Sequence, residues 1–329
     1  MNIRLATDVD RNRWNAYADS SDTPPLARYE WRNILEKTYS VATYFFIAQD
    51  EQGVVKGICP TYVSKLWGGK SMLYSLRFGL LADDETIRAV LLSHIQQFCY
   101  ENQIASYLVT SGYVDSISNA RIKKTIIMKI ADEEEELWNS LRNKTRNMIR
   151  KAQHAGIHIK RGFENLEEFY RVYVQRMLEK GVPIHRLDFF TNIVKALPDN
   201  AELLCAMHER RLVGGLLLLI GKKTSIYPYQ ASLREGEQLA SNQLLIWEAM
   251  RYCRERGIAA LDMGESTEGS TVYQSKINFG GKPKEVYYYH TIGEPASSPL
   301  PFVSKMFPYL PSVLKTKVGI WLKKQGRLL

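Results

Sequence analysis

Two stretches of this chain repeat each other, and that repetition limits the possible folds more than any other feature. Phe98-Cys99-Tyr100-Glu101-Asn102-Gln103-Ile104-Ala105 aligns with Tyr252-Cys253-Arg254-Glu255-Arg256-Gly257-Ile258-Ala259 at an offset of 154 residues. Val55-Lys56-Gly57-Ile58 aligns with Val213-Gly214-Gly215-Leu216 at an offset of 158. Both matches fall at the same place in one order of predicted elements. Residues 8–40 read as two helices around Asp22-Thr23-Pro24-Pro25. Then Thr43–Ala48 and Val54–Val63 read as a hairpin and Leu73–Leu81 as an extended piece. Ile87, Leu91, Ile95 and Phe98 mark one helical face, and Ala105–Thr110 and Thr125–Ile130 read as strands. The second half repeats this with a hairpin of Glu202–Met207 and Val213–Ile220, a strand Ser225–Tyr229, a helix Asn242–Arg254 and a strand Ile258–Met263. Near-equal offsets at matching positions predict a duplicated α/β unit. A chain of 329 residues suits two domains at ~150 residues each. The expected division is 1–131, 132–295 and a tail, 296–329.

The charge balance points to an anionic partner. Net charge is +9, which fits nucleic acid, a phospholipid surface or a phosphorylated substrate and does not choose among them. Cys59, Cys99, Cys205 and Cys253 each lie in an apolar run and form no CxxC pair, so no zinc site is expected and reduced, buried thiols are. The start, MNIRLATDVDRNRW, lacks the apolar core of a signal peptide. The apolar runs, such as Leu216–Ile220, fall far short of the ~20 residues of a membrane span. These features predict a cytoplasmic protein, with peripheral contact at the inner membrane face as a further expectation.

Basic residues are concentrated in two places. Between the copies, Asp132–Gly156 reads as a helix over 133–155, with its acids at the start, where the helix dipole favours them, and Gly156 just past its end. Arg142, Arg146 and Arg150 share one face with Lys144 and Lys151 nearby, and residues 142–161 carry seven Lys or Arg and no acid. Either this is a solvated face or it is a phosphate-contacting ridge; the missing acids favour the ridge. In the tail, Leu310, Leu314, Val318 and Trp321 lie at helical spacing among Lys305, Lys315, Lys317, Lys323, Lys324 and Arg327. That pattern suits a helix lying on an anionic membrane, and equally one packed on the protein with its lysines in water.

The copies differ where chemistry is expected. By the 154-residue offset, the first has Leu108, Thr110 and Ile122 where the second has Asp262, Gly264 and Lys276. Leu261–Gly281 opens as a strand, passes through the polar loop Gly264–Ser270, and ends in a helical turn placing Lys276 three residues from both Tyr273 and Phe279. An ammonium beside two rings is partly desolvated and suits an electrostatic clamp on a phosphate or an oxyanion. A solvated lysine beside a glycine turn is the alternative. The site is expected in the second copy or in the groove between the copies.

These residues resemble those of the FemAB-like family, the peptidoglycan interpeptide-bridge aminoacyltransferases and their relatives, which are built on tandem GNAT-like domains. Lys144-x-Arg146-x-x-Ile149-Arg150-Lys151-Ala152 is similar to its K-x-R-x-x-I-R-K-A helix. Met177-x-x-x-Gly181-Val182-Pro183 followed by Phe189-Phe190, and Tyr227-Pro228-Tyr229-Gln230-Ala231-Ser232, resemble two more of its segments. Asp262-Met263-Gly264 and Lys276-x-x-Phe279-Gly280 resemble its D-x-G and F-K-x-x-F/W-G motifs. Two departures stand out. Ser275 replaces the aromatic before the lysine, and Arg234-Glu235-Gly236-Glu237 does not fit the Q/R-x-x-G-x-G/A loop that holds a CoA pyrophosphate. The resemblance implies two tandem GNAT-like domains with mixed central sheets, and transfer of an acyl or aminoacyl group to a substrate amine with no tightly bound cofactor. The implied donor is aminoacyl-tRNA and the implied acceptor a phosphorylated cell-wall or cell-envelope precursor. The alternatives are an acyl-CoA-dependent N-acyltransferase acting on a sugar amine or small amine, and a non-catalytic relative that binds an anionic ligand. Lys276 is implied to hold an oxyanion or a donor phosphate, and Tyr229 to position the carbonyl or relay a proton. Arg146, Arg150 and Lys144 are implied to hold phosphates, with Tyr227, Asp262, Gly264, Phe279 and Gly280 shaping the substrate site.

Overall fold

The computed structural model describes residues 1–65, 69–111, 121–290 and 312–325. In chain order it begins with β1 (Asn2–Leu5), α1 (Arg11–Ser20), α2 (Trp31–Tyr39), β2 (Ala42–Gln49), β3 (Val55–Lys65), β4 (Ser71–Ser75), β5 (Leu81–Ala82), α3 (Glu85–Glu101), β6 (Ser106–Thr110) and β7 (Arg121–Lys129). Next come α4 (Glu134–Ser140), α5 (Asn143–His154), β8 (His158–Arg161), α6 (Leu166–Glu179), α7 (Leu187–Ala196), β9 (Ala201–His208), β10 (Arg211–Leu219) and β11 (Thr224–Ser232). The last elements are α8 (Arg234–Gln238), α9 (Ser241–Glu255), β12 (Ala260–Glu265), α10 (Thr271–Asn278), β13 (Lys282–His290) and α11 (Ser312–Gln325). The chain forms two compact units: Met1–Lys123 with Gly181–Ala196 and Glu285–Leu329, and Lys124–Lys180 with Leu197–Lys284.

The first unit has strand order β1-β2-β3-β4-β6-β13, and the second has β7-β12-β11-β10-β9-β8. In each, an antiparallel meander (β2-β3-β4, or β9-β10-β11) is followed by a helix that returns the chain parallel to the meander's last strand. The helix is α3, leading to β6, or α9, leading to β12. The helix ends Glu101 and Glu255 and the strand starts Ser106 and Ala260 both keep the 154-residue offset. The fold is thus mixed α/β, built twice. The copies also trade a strand. β7 follows β6 in the chain yet pairs with β12 through Thr125–Lys129, while β13 follows β12 yet pairs with β6 through Tyr288–His290.

Each unit has its own core. In the second, Leu244, Leu245, Ala249, Met250 and Cys253 of α9 pack on Leu204, Ala206, Val213, Leu216 and Leu218 of the sheet. Burying one such leucine contributes about 1.5–3 kcal/mol. In the first, Ile87, Leu91, Ile95 and Cys99 of α3 pack on Phe46, Cys59, Leu73, Val109, Tyr287 and Tyr289. All four cysteines are free and buried.

The expected single helix over 133–155 is two helices. Leu141 and Arg142 are extended, with ψ of 141° and 149°. Leu141 turns into the core, and the Arg142 N–H donates to Asn278 O at 3.1 Å, so tertiary contacts outweigh helical continuity here. Of the expected tail, residues 296–311 and 326–329 lie outside the described residues, and the rest is α11, which packs against β3.

Candidate active site

The site grows from a strand pair that comes apart. β11 and β12 pair in parallel through Thr224↔Ala260, Ser225↔Leu261 and Ile226↔Asp262, where the ladder ends although β11 continues to Ser232. The register of β11 on β10 breaks just there, between Leu219↔Ile226 and Leu217↔Tyr229. Pro228, without an N–H, sits in the bulge, as prolines in strands do. Past Ile226 and Asp262 the two strands therefore part, with Tyr227 and Tyr229 on one side of the opening and Asp262 and Gly264 at its root. Both tyrosines are buried, and Tyr229 meets Tyr173 of α6 edge-on, centroids 6.4 Å apart. Burial raises the Tyr227 hydroxyl above its usual range, and the Asp262 charge adds to this.

The opening carries the polar loop. Asp262 is fully buried, and its Oδ1 accepts from Thr125 Oγ1 and from the Gly264 N–H, both at 2.6 Å. Gly264 has φ +81°, the left-handed region that glycine enters freely. The loop closes into α10 where Ser270 Oγ accepts from the Tyr273 N–H at 3.1 Å, a side-chain cap. Lys276, 9% exposed, reaches back from α10, and its Nζ donates to Gly264 O (2.9 Å), Glu265 O (3.2 Å) and Ser266 Oγ (2.7 Å). The ammonium thus fastens the loop while placing a desolvated positive charge behind it.

The FGG turn follows. Phe279 is in the core, Gly280 has φ +86°, and a Cβ on Gly281 would lie 2.4 Å from Ile126. This turn meets α5, whose Thr145 Oγ1 donates to Asn278 O at 2.9 Å. The Lys276 helix and the basic helix are thereby stitched end to end. On α5, Thr145, Ile149 and Ala152 face inward, Lys144 and Arg150 are exposed, and Arg146 is half-buried. Arg146 bonds Asn139 and Asn143. Arg150 bonds Asn147 and lies over the Trp138 ring at 5.3 Å. Among the described residues no carboxylate pairs with Arg142, Lys144, Arg146, Arg150 or Lys151, and these contacts do not link Arg146 or Arg150 to Lys276 or Tyr229. Sequence reasoning missed Thr125 and Ser266, the partners of Asp262 and Lys276. Ser266 stands in the singled-out loop, but Thr125 lies 137 residues from Asp262, and no local pattern announces it.

The corresponding opening of the first unit is filled. Thr110, the counterpart of Gly264, is fully buried; its N–H bonds Ser75 Oγ (2.8 Å) and its hydroxyl bonds Leu76 O (2.9 Å). The Leu80 N–H then closes on Thr110 O at 2.9 Å. Among the described residues, no group of His, Cys, Asp and Glu is placed to hold a metal ion.

A family model for an acetyltransferase (GNAT) domain matches residues 139–275, from the end of α4 to the residue before Lys276. A comparison with curated protein sequences finds no match. Among solved structures, FemX is similar with a TM-score of 0.67 and 16% identity, over 88% of this chain and 97% of that one. The C-terminal domain of an Agrobacterium fabrum protein assigned as a lysylphosphatidylglycerol synthetase is similar at TM-score 0.57 and 11% identity, over 87% and 92%. A tandem GNAT protein from the clavulanic acid biosynthesis pathway is similar at 0.55 and 11%, over 90% and 100%. At such identities these likenesses show a shared fold.

Proposed function

We propose that this chain, an acyltransferase by its acetyltransferase (GNAT) domain, transfers an aminoacyl group from aminoacyl-tRNA to an amine of a phosphorylated cell-envelope precursor. The observation that carries the reading is the parting of β11 from β12 at Ile226 and Asp262, with a lysine-fastened loop at its root. A donor carbonyl seated there lies between Tyr229 and the Lys276 loop. The acceptor nitrogen attacks the carbonyl carbon, the tetrahedral oxyanion forms beside the positive field of Lys276, and collapse expels the ribose hydroxyl as the amine loses a proton. For Lys276 to bond the oxyanion directly it must release one acceptor, and the Ser266 hydroxyl is the one that can rotate away. Tyr229 positions the carbonyl or relays the proton. Arg146, Arg150 and Lys144 hold donor or acceptor phosphates, and basic charge suits both polyanions.

The donor choice rests on α8. Where an acyl-CoA enzyme needs free backbone N–H groups ahead of α9, Arg234–Gln238 is a short helix carrying Glu235 and Glu237. Glu237 is bound to the buried Arg176 at 2.6 Å. Gly236 serves packing, since a Cβ there would lie 2.5 Å from Val213 O. With Glu237 held by Arg176 and Gly236 packed against Val213, α8 lacks the open glycine loop that cradles a pyrophosphate. The resemblance of the motifs to FemAB-like transferases supports aminoacyl-tRNA, and α11 suits peripheral contact with an anionic membrane. The test is to incubate the protein with lipid-linked and soluble envelope precursors, and either charged tRNA or acyl-CoAs, and to detect new amides by mass spectrometry. Amide formation from acyl-CoA alone overturns the donor assignment, and none from either overturns the reaction.

A further inference from the structure

The first unit buries an arginine that makes no ion pair among the described residues. Arg88, in the first turn of α3, is 7% exposed. Its Nε is enclosed without a hydrogen-bond partner, and among the described residues its guanidinium has no ion pair. Two further buried hydroxyls, Ser111 Oγ and Tyr289 OH, lie nearby with no partner but each other. The register explains the grouping. Tyr288 pairs with Thr110 and Tyr289 with Val109, so Val109, Ser111, Tyr287 and Tyr289 share one face of the sheet. Ile87 and Leu91 of α3 pack on that same face. Burial pushes the Tyr289 hydroxyl up to about 12, and the Arg88 charge and Ser111 pull the other way. A largely buried guanidinium without a direct ion pair is costly, and Asp83, Asp84 and Glu85 of the preceding turn offset its charge without touching it. The equivalent residue of the second copy, by the 154-residue offset, is Asn242, whose Oδ1 accepts from Gln230 and Ser232 at 3.2 Å and 2.8 Å.

We infer that Arg88, Ser111 and Tyr289 form a binding site in the first unit for a ligand carboxylate. A guanidinium receives a carboxylate on two parallel N–H bonds, and the hydroxyls of Ser111 and Tyr289 supply further donors. The surroundings favour one negative charge over two. Asp83, Asp84 and Glu85 precede Arg88, and the Asp84 carboxylate already caps α3 through the Ile87 N–H at 2.8 Å. A dianionic phosphate meets repulsion from this rim, whereas a carboxylate carried next to an ammonium group meets attraction. The ligand class is therefore an amino acid or a peptide with a free C-terminus.

The test compares the full-length protein with Arg88→Met, which keeps the stem and removes the charge. Thermal unfolding is measured in chloride, acetate, glycine and inorganic phosphate at matched ionic strength. With the site real, glycine and acetate raise the Tm of the parent more than phosphate does, and Arg88→Met loses that response with at least about tenfold weaker apparent binding. Arg88→Met is also at least as stable as the parent in chloride, because it removes a buried charge with no partner. A variant that is destabilised in chloride, or that keeps the parent's response to glycine, overturns the site, as does a parent indifferent to acetate, glycine and phosphate alike. A response to phosphate alone overturns the carboxylate class. None of these outcomes touches the transfer chemistry assigned to the second unit, which is read from amide formation.

Discussion

A buried ammonium with three oxygen acceptors is held far more firmly than a surface lysine, and Lys276 is so held. Replacing it by methionine keeps stem length and packing but removes the charge. Loss of one preorganised charge at an oxyanion slows transfer by about 10²–10³-fold, ~3–4 kcal/mol. Lys276→Met is expected to reach that loss while its far-UV dichroism stays that of the parent; turnover within about threefold of the parent would put the oxyanion role elsewhere. Ser266→Ala is expected to retain transfer, since two carbonyls still hold the loop. A second buried group sets a pH dependence. His185 is enclosed, hydrogen-bonded at Nδ1 to Tyr39 and stacked on Phe189 at 4.0 Å. Burial holds its pKa well below the usual 6.5, with the nearby Lys323 charge acting the same way. The folded ring stays neutral while the unfolded ring takes up a proton below about pH 6.5, so stability falls as pH drops, by up to about 1.4 kcal/mol per pH unit. Denaturant unfolding at pH 7.5 and 5 should show this slope, and His185→Gln should flatten it. Sequence spacing made Asp262 and Gly264 legible because the motif is local. It left Thr125 and the Tyr39–His185 pair hidden, since both join residues more than a hundred positions apart.

Elements were legible where periodicity and turns agree, as in the hairpins and the two long helices. They were misread where tertiary contact overrides local preference. The helix break at Leu141 and Arg142 follows from the core claiming one residue and Asn278 the other. In α3 the buried stripe is Ile87, Arg88, Leu91, Ile95 and Cys99, so a charge stands on the inward face. A search for charged residues on an apolar stripe would have found Arg88. α5 supports its own prediction. Its inward face is Thr145, Ile149 and Ala152, and its arginines touch only asparagines and one ring. Arg146→Ala and Arg150→Ala should change stability by no more than ~0.5 kcal/mol. Each should weaken donor or acceptor binding, and the salt dependence of binding should shrink with each lost phosphate contact. Fluorescence titrations with tRNA and with precursor, at two salt concentrations, check this. Unchanged affinity for both would leave α5 a hydrated face.

At the scale of the molecule the duplication was readable because a helix-to-strand junction and a hairpin strand recur at near-equal offsets. The exchange of β7 and β13 was not, because their pairings join residues far apart in the chain, Thr125 with Glu265 and Tyr288 with Thr110. No described helix is long and apolar enough to cross a membrane. The exposure of α11 bears on its role. Leu322 is buried at 2%, and the helix packs against β3, while Leu314 and Trp321 stay 48% and 38% exposed beside Lys317. Apolar residues thus lie on both faces with lysines between, so packing on the protein does not use up the outer face. Tryptophan, leucine and lysine together suit the boundary of an anionic bilayer, where each basic residue adds about 1 kcal/mol. Deleting α11 would also uncover β3, so the informative variants are Leu314→Ser with Trp321→Ser, and separately Lys315→Gln with Lys317→Gln. Both pairs spare Leu322. In flotation with phosphatidylglycerol vesicles, each pair should lower the bound fraction. The lysine pair should also flatten the fall in binding with added salt, and vesicles of phosphatidylcholine alone should bind little throughout. Binding by both pairs equal to that of the parent would reduce α11 to a packed helix with its lysines in water.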